Sequence, residues 1–208
     1  MTMSVSARLF KPTMIDLIFG PGLATSVVFI TAAAAATAIA AQFVVPLDPV
    51  PITAQTLAVM IVGLSLGATR AALAMLLYAL LGISGMPVFS NAQGGSEVLL
   101  GTGGGYIVGY ICAAWVMGML AERGWYKTFP QAAAAAALGS ILIYALGMIG
   151  IARVFSATGR DFTVGTLFDI GVAPFIAGAI IKLTIAAALL SLTWKAVLRR
   201  RPRAAEFV

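Results

Sequence analysis

The chain has 208 residues, 61% of them hydrophobic and only 10% charged, where an ordinary soluble domain carries about 25% charged residues. That leaves too little polar surface to coat a soluble globule, and the long alanine and leucine runs do not alternate as the strands of a membrane barrel do, so the expected fold is an all-α integral membrane protein. The formal net charge of +6, from 13 basic and 7 acidic residues, fits cytoplasmic loops of such a protein and does not call for nucleic acid.

Residues 1–20 are polar to mildly amphipathic, carry Arg8, Lys11 and Asp16, and are punctuated by Pro12 and Gly20. They show no clean small-residue cleavage site, so no removed signal peptide is expected. The first span is placed at 23–45. Its centre, TAAAAATAIAA, puts Ala32, Ala36 and Ala40 four apart on one stripe, which lets another helix approach closely, either within the bundle or from a partner. The run PLDPVP at 46–51 cannot continue a helix. Spans two and three, at 52–66 and 71–84, are short for a full crossing, which needs roughly 20 residues. A tight turn with one positive charge, Arg70, joins them.

The segment 85–110, GMPVFSNAQGGSEVLLGTGGGYIVGY, is the longest polar and glycine-rich interruption in the chain. Its glycines let backbone approach a ligand. Asn91, Gln93, Glu97 and Tyr106 offer hydrogen bonds, and Val88, Phe89, Leu99 and Leu100 offer apolar contact. It is read as a lid or floor over a small-molecule pocket, with a plain connecting loop as the alternative. Span four follows at 104–120, span five at 131–152, then a second polar loop at 153–172 containing Arg160, Asp161 and Asp169, and span six at 174–197 before the basic tail KAVLRRRPR. The expectation is one membrane domain over 1–208, a six-transmembrane-helix bundle.

Six spans put both termini on one side. Arg8, Lys11, Arg70, Arg123, Lys127, Lys195, Arg199, Arg200, Arg201 and Arg203 then fall on that side and only Arg153 and Arg160 fall opposite, so the termini are assigned to the cytoplasm. The three polar loops at 46–51, 85–103 and 153–173 face outward, which suits capture of an external solute. No phosphate-binding glycine loop with lysine and serine or threonine is present, so ATP is not bound by that route.

Lys182 is the strongest single signal. It lies eight residues beyond Pro174 in the sixth span, about 12 Å below the outer end of the helix, where an ammonium is retained only if paired or wetted. Gln55, just inside span two, serves either a ligand or a loop cap. Tyr106 and Tyr110 share one face of span four, and Tyr106 is nearer the outer loop. Catalysis has no support: there is no histidine, Cys112 is the single cysteine, no nucleophile–base spacing is evident, and neither a catalytic group nor a metal set is expected. A membrane-embedded enzyme and a ligand-free structural protein are the readings set aside.

PITAQT at 51–56, LLYALLGISGMPVFS at 76–90, GGSEVLLGTGGGYIVGY at 94–110 and PFIAGAIIK at 174–182 give the chain a resemblance to the BioY family, the biotin-binding membrane component (S component) of energy-coupling-factor vitamin transporters. The resemblance implies an S-component-like six-helix bundle that binds biotin under the loops after spans one, three and five. It also implies partners: a transmembrane coupling protein and two cytosolic ATPase subunits, with ATP used only there and no cofactor in this chain. The setting implied is a bacterial cytoplasmic membrane. By the same resemblance the alanine stripe is a docking surface, Lys182 is the last-span lysine, and Asn91 falls in the loop of polar ureido contacts. Many members have an aspartate three residues before the lysine; this chain has Ala179, which leaves another vitamin or small solute as the alternative. Lys182, Arg160 and Tyr106 are candidates for the ligand carboxylate, Asn91, Gln55 and Lys182 for its polar head, and Val88, Phe89 and Leu99 for its apolar parts, with Gln93 a further substrate-binding candidate.

Overall fold

The computed structural model describes residues 13–200; the expectations for Arg8, Lys11, Arg201 and Arg203 lie outside the described residues. The chain runs through α1 (Met14–Phe19), α2 (Leu23–Ala41), two short strands β1 (Val44–Val45) and β2 (Ile52–Thr53), α3 (Gln55–Leu66), α4 (Ala68–Ile83), α5 (Ser96–Leu100), α6 (Gly104–Glu122), α7 (Phe129–Ala157), α8 (Val164–Gly171) and α9 (Ile176–Arg200). Among the described residues four stretches are long and apolar enough to cross a membrane: α2, α6, α7, and Val164–Arg199, which spans α8 and nearly all of α9. The helical membrane protein expected from composition is the fold observed.

Helices α3 and α4 are apolar but shorter, about 18 and 24 Å at 1.5 Å per residue. Nine residues of α3 are buried, from Gln55 to Leu66, so this helix faces protein rather than lipid. Arg70, expected in a turn, is instead inside α4 and only 2% exposed. Helix α2, expected to run to residue 45, stops at Ala41, and the PLDPVP segment becomes the loop of a small antiparallel hairpin in which Val44 opposes Thr53 and Val45 opposes Ile52.

Helix α6 is the hub, packing on α7, α3 and α4. Small residues make this possible. A Cβ on Gly105 would come within 2.9 Å of the Gly150 Cα on α7, one on Gly109 within 2.9 Å of the Ile143 Cα, and one on Gly118 would run into the backbone of Gly67 and Ala68. Gly105 and Gly109, which read from sequence as ligand-approach residues, are thus sites of helix–helix contact, as is Gly118. Gly118→Ala is expected to destabilise the fold by about 1–3 kcal/mol through overpacking, outweighing the about 1 kcal/mol that alanine gains over glycine in a helix. A thermal midpoint in detergent that stays level or rises would refute this.

Two ends of the bundle are built differently. At the end where α1 begins, Arg70 Nη1 pairs with Asp16 Oδ2 at 2.7 Å and Nε donates to Ser26 Oγ at 3.0 Å. Asp16 Oδ2 also accepts from the Thr13 backbone N–H at 2.9 Å and hydroxyl at 3.1 Å, closing a capping box on α1. At the opposite end the connections are themselves structured. Segment 85–103 contains a single 3-10 turn and α5, and the loop expected at 153–172 is largely the end of α7 plus α8, with Thr163 Oγ1 accepting from the Thr166 N–H at the start of α8. Side chains tie these connections together: Thr102 Oγ1 donates to the Pro49 carbonyl at 3.0 Å, Gln42 Nε2 to the Phe89 carbonyl at 3.1 Å, and Arg153 Nη2 to the Leu100 carbonyl at 2.7 Å.

Helix α2 is peripheral. Ala33, Ala34, Thr37 and Ala41 form its buried face, and Thr37 Oγ1 reaches Met75 Sδ of α4 at 4.0 Å. Ala32 and Ala36 lie exposed on another face and Ala40 is half-buried.

Candidate functional site

Beneath the tied connections lie two chambers in series. The outer one, about 270 Å³, is walled by the hairpin loop at Pro49 to Pro51, by Gln93, and by Glu97, Gly101 and Thr102 around α5. The inner one, about 50 Å³, is walled by Thr53, Gln55, Phe89, Tyr106, Ile107 and Tyr110. Val50, Pro51, Ser90, Val98 and Gly103 border both, so the second opens from the first. Gly103 has open space where a Cβ would stand; it is the position where the absence of a side chain does widen the cavity.

Each wall is set by local structure. The hairpin aims Thr53 and Gln55 inward at the start of α3, where Thr53 Oγ1 donates to Gln55 Oε1 at 2.7 Å and Gln55 Nε2 donates to the Tyr78 hydroxyl. This fixes the amide in a buried site, where an unmade hydrogen bond costs about 1–3 kcal/mol. The Phe89 ring stands edge-on to Tyr78, centroids 5.5 Å apart, in a space that only a glycine at position 82 leaves open. Tyr106 donates to the Gly171 carbonyl at 2.7 Å and its ring lies 6.0 Å from Phe175, which joins α6 to the α8–α9 connection.

Lys182 stands directly behind this wall. Its Nζ donates to the Thr53 carbonyl at 2.6 Å and to Thr56 Oγ1 at 3.0 Å. Both acceptors are uncharged, and among the described residues no carboxylate forms an ion pair with it. Ala179 is buried, and a Cβ at Gly178 would meet nothing. Among the described residues the chamber walls carry one charged side chain, Glu97, and no cation. An ammonium held by neutral groups within a span is a donor and a charge awaiting a counterpart.

The structure therefore brings Gln55, Phe89, Tyr106 and Gln93 to the chambers and puts Lys182 one residue layer behind. It does not bring Asn91 or Arg160 there. Asn91 is exposed, with φ of 57° and ψ of 33°, the left-handed region that asparagine tolerates better than most residues; its observed work is to shape the turn. Arg160 lies exposed past the end of α7, with its guanidinium 4.7 Å from the centre of the Phe155 ring. Thr53, Tyr78, Tyr110, Gln42 and Arg153 were not singled out as site residues from sequence. A buried tyrosine in an apolar run reads as packing until Gln55 is seen bonded to it, and Gln42 and Arg153 act on backbone carbonyls far away in the chain, which leave no sequence signal.

Residues 7–199 match the model of the BioY family. The chain is 39% identical to "Biotin transporter BioY" of Thermotoga maritima over 143 residues, covering 69% of this chain and 80% of that one. It is 36% identical to "Biotin transporter BioY" of Rhizobium etli over 178 residues, 80% of this chain and 92% of the relative. In three dimensions it resembles a crystal structure described as the S-component for biotin from an ECF-type ABC transporter, with a TM-score of 0.72, 20% identity, and coverage of 83% of this chain and 92% of that chain.

Proposed function

Since the chain belongs to the BioY family, we propose that it is the high-affinity biotin-binding membrane subunit of an uptake transporter, taking biotin from the outside and passing it inward. The observation that carries this is the two-chamber cavity under the tied connections, with a half-buried ammonium at its back. The inner chamber, about 50 Å³, is much smaller than the outer one, about 270 Å³. A ligand of biotin's size must span both chambers. Its ureido ring offers two N–H donors and a carbonyl, which suits Gln55, Thr53 and Tyr110; its thiophane ring and valeryl chain suit Val50, Phe89, Val98 and Ile107. Lys182 supplies the positive charge that a carboxylate-bearing ligand needs and that none of the described wall residues offers. Asn91 and Arg160 enter the reading only as residues of the outer connections.

The basic residues at the α1 end, among them Arg123, Lys127 and Lys195, support a cytoplasmic assignment for the termini in a bacterial inner membrane, with the chambers opening outward. Transport against a gradient calls for a transmembrane coupling protein and cytosolic ATPase subunits, and the exposed Ala32 and Ala36 with Ala40 are the proposed docking stripe for the former. Titration calorimetry on ligand-free protein in detergent tests the substrate: saturable 1:1 heat with biotin, and none with a panel of other water-soluble vitamins, is expected. Silence with biotin and a response to another vitamin would reassign the chain within the same scaffold.

A further inference from the structure

We propose that a cleft on the outer surface between α6 and α7, separate from the two chambers, is a binding site for an anionic glycerophospholipid, with an acyl chain in the cleft and the phosphate on Arg153. The cleft encloses about 270 Å³. Gly105 and Gly150 bring the two helices together and leave no side chains to fill its floor. Val108, Leu146 and Ile149 wall it, with Arg153 at its rim. Val108 and Ile149 are exposed, so this surface faces whatever surrounds the bundle.

Depth and charge identify the occupant. Helix α7 has 29 residues and is about 43 Å long, against a hydrocarbon core of about 30 Å. Centred in the bilayer, its last turn at each end stands among headgroups. Arg153 lies four residues before the end of α7 at Ala157, about 6 Å, at the boundary between headgroups and acyl chains. From Arg153 to Leu146 the cleft descends about 10 Å into the hydrocarbon. The guanidinium uses Nη2 for the Leu99 and Leu100 carbonyls. Among the described residues no hydrogen bond engages its Nε or Nη1, and no carboxylate is paired with it. Nε and Nη1 each have an N–H free to donate to a phosphate oxygen, from different sides of the guanidinium. Because the same side chain caps α5, whose Glu97 and Val98 wall the outer chamber, bound lipid steadies one wall of the ligand site.

Native mass spectrometry of the full chain released from detergent tests this, using phosphatidylglycerol and phosphatidylcholine with identical acyl chains. The wild type is expected to retain one phosphatidylglycerol under activation that strips phosphatidylcholine. Arg153→Gln should lower that retention at least fivefold, while Arg123→Gln, at the opposite end of the bundle, should leave it unchanged. Val108→Phe, which fills the cleft and keeps the arginine, should also lower it, and this arm decides the matter if Arg153→Gln does not fold. Equal retention of the two lipids by the wild type, undiminished retention in Val108→Phe, or an equal loss in Arg123→Gln overturns the proposal.

Discussion

Lys182→Met is expected to weaken biotin binding about 30-fold or more while leaving a protein that folds and stays monodisperse. Methionine keeps most of the length of the side chain and removes the charge. In the unliganded state that change is mild, because a desolvated ammonium is itself expensive and its two acceptors, Thr53 and Thr56, are neutral. In the complex it removes the cation bonded to Thr53 and Thr56 at the back of the inner chamber. Truncating one partner of a buried charged contact costs about 2–5 kcal/mol, and each 1.4 kcal/mol is tenfold in affinity. The end of biotin involved is read by comparing biotin with its uncharged carboxamide. If the ammonium meets the carboxylate, wild type prefers biotin and Lys182→Met does not; if it meets the ureido carbonyl, the variant weakens both equally. Wild-type affinity for both in the variant would remove Lys182 from the site.

Arg70→Met is expected to destabilise the protein by about 3–5 kcal/mol, because it strands the Asp16 carboxylate in a site from which water is excluded. Adding Asp16→Asn should recover part of the loss, since no unpaired charge then remains, and the double-mutant cycle gives the coupling. The pair also predicts a pH dependence. Asp16 precedes the first span; burial acts to raise its carboxyl, but the hydrogen bond and charge of Arg70 and the bonds from Thr13 outweigh that and hold it below the usual carboxylate value. A group lowered on folding stabilises the fold above its unfolded value, about 4, and that contribution is lost as pH falls through the lower folded value. The gap in thermal midpoint between wild type and Asp16→Asn should therefore be full near neutrality and shrink below about pH 4. A gap that widens in acid, or an Arg70→Met variant as stable as wild type, contradicts the account.

The reading of Lys182 and that of Arg70 show how far local sequence reaches. A lysine eight residues into an apolar run is visible without coordinates because its desolvation has to be met by something, whatever the fold. Arg70, three residues after Gly67 at the end of another apolar run, reads as part of a solvated turn. Its burial depends on Asp16 and Ser26 arriving from α1 and α2, and such meetings between distant segments are not encoded in spacing. The glycine-rich segment divides the same way. That it interrupts a hydrophobic chain is local information; that Gly105 and Gly109 seat a neighbouring helix while Gly103 opens a chamber is decided by what lies opposite each one.

Sequence by itself determined that this chain lives in a membrane as helices, because hydrophobic content and run length act through the solvent and need no partner. It also picked out Gln55, Phe89 and Tyr106, which sit where polar or aromatic groups punctuate apolar runs near helix ends. Tertiary structure alone decided that Asn91 shapes a turn, that Arg160 stands apart, and that the ammonium of Lys182 is held by a strand 129 residues away in the chain. Such contacts are made across the bundle, where the distance between two groups is set by packing and not by their separation along the chain.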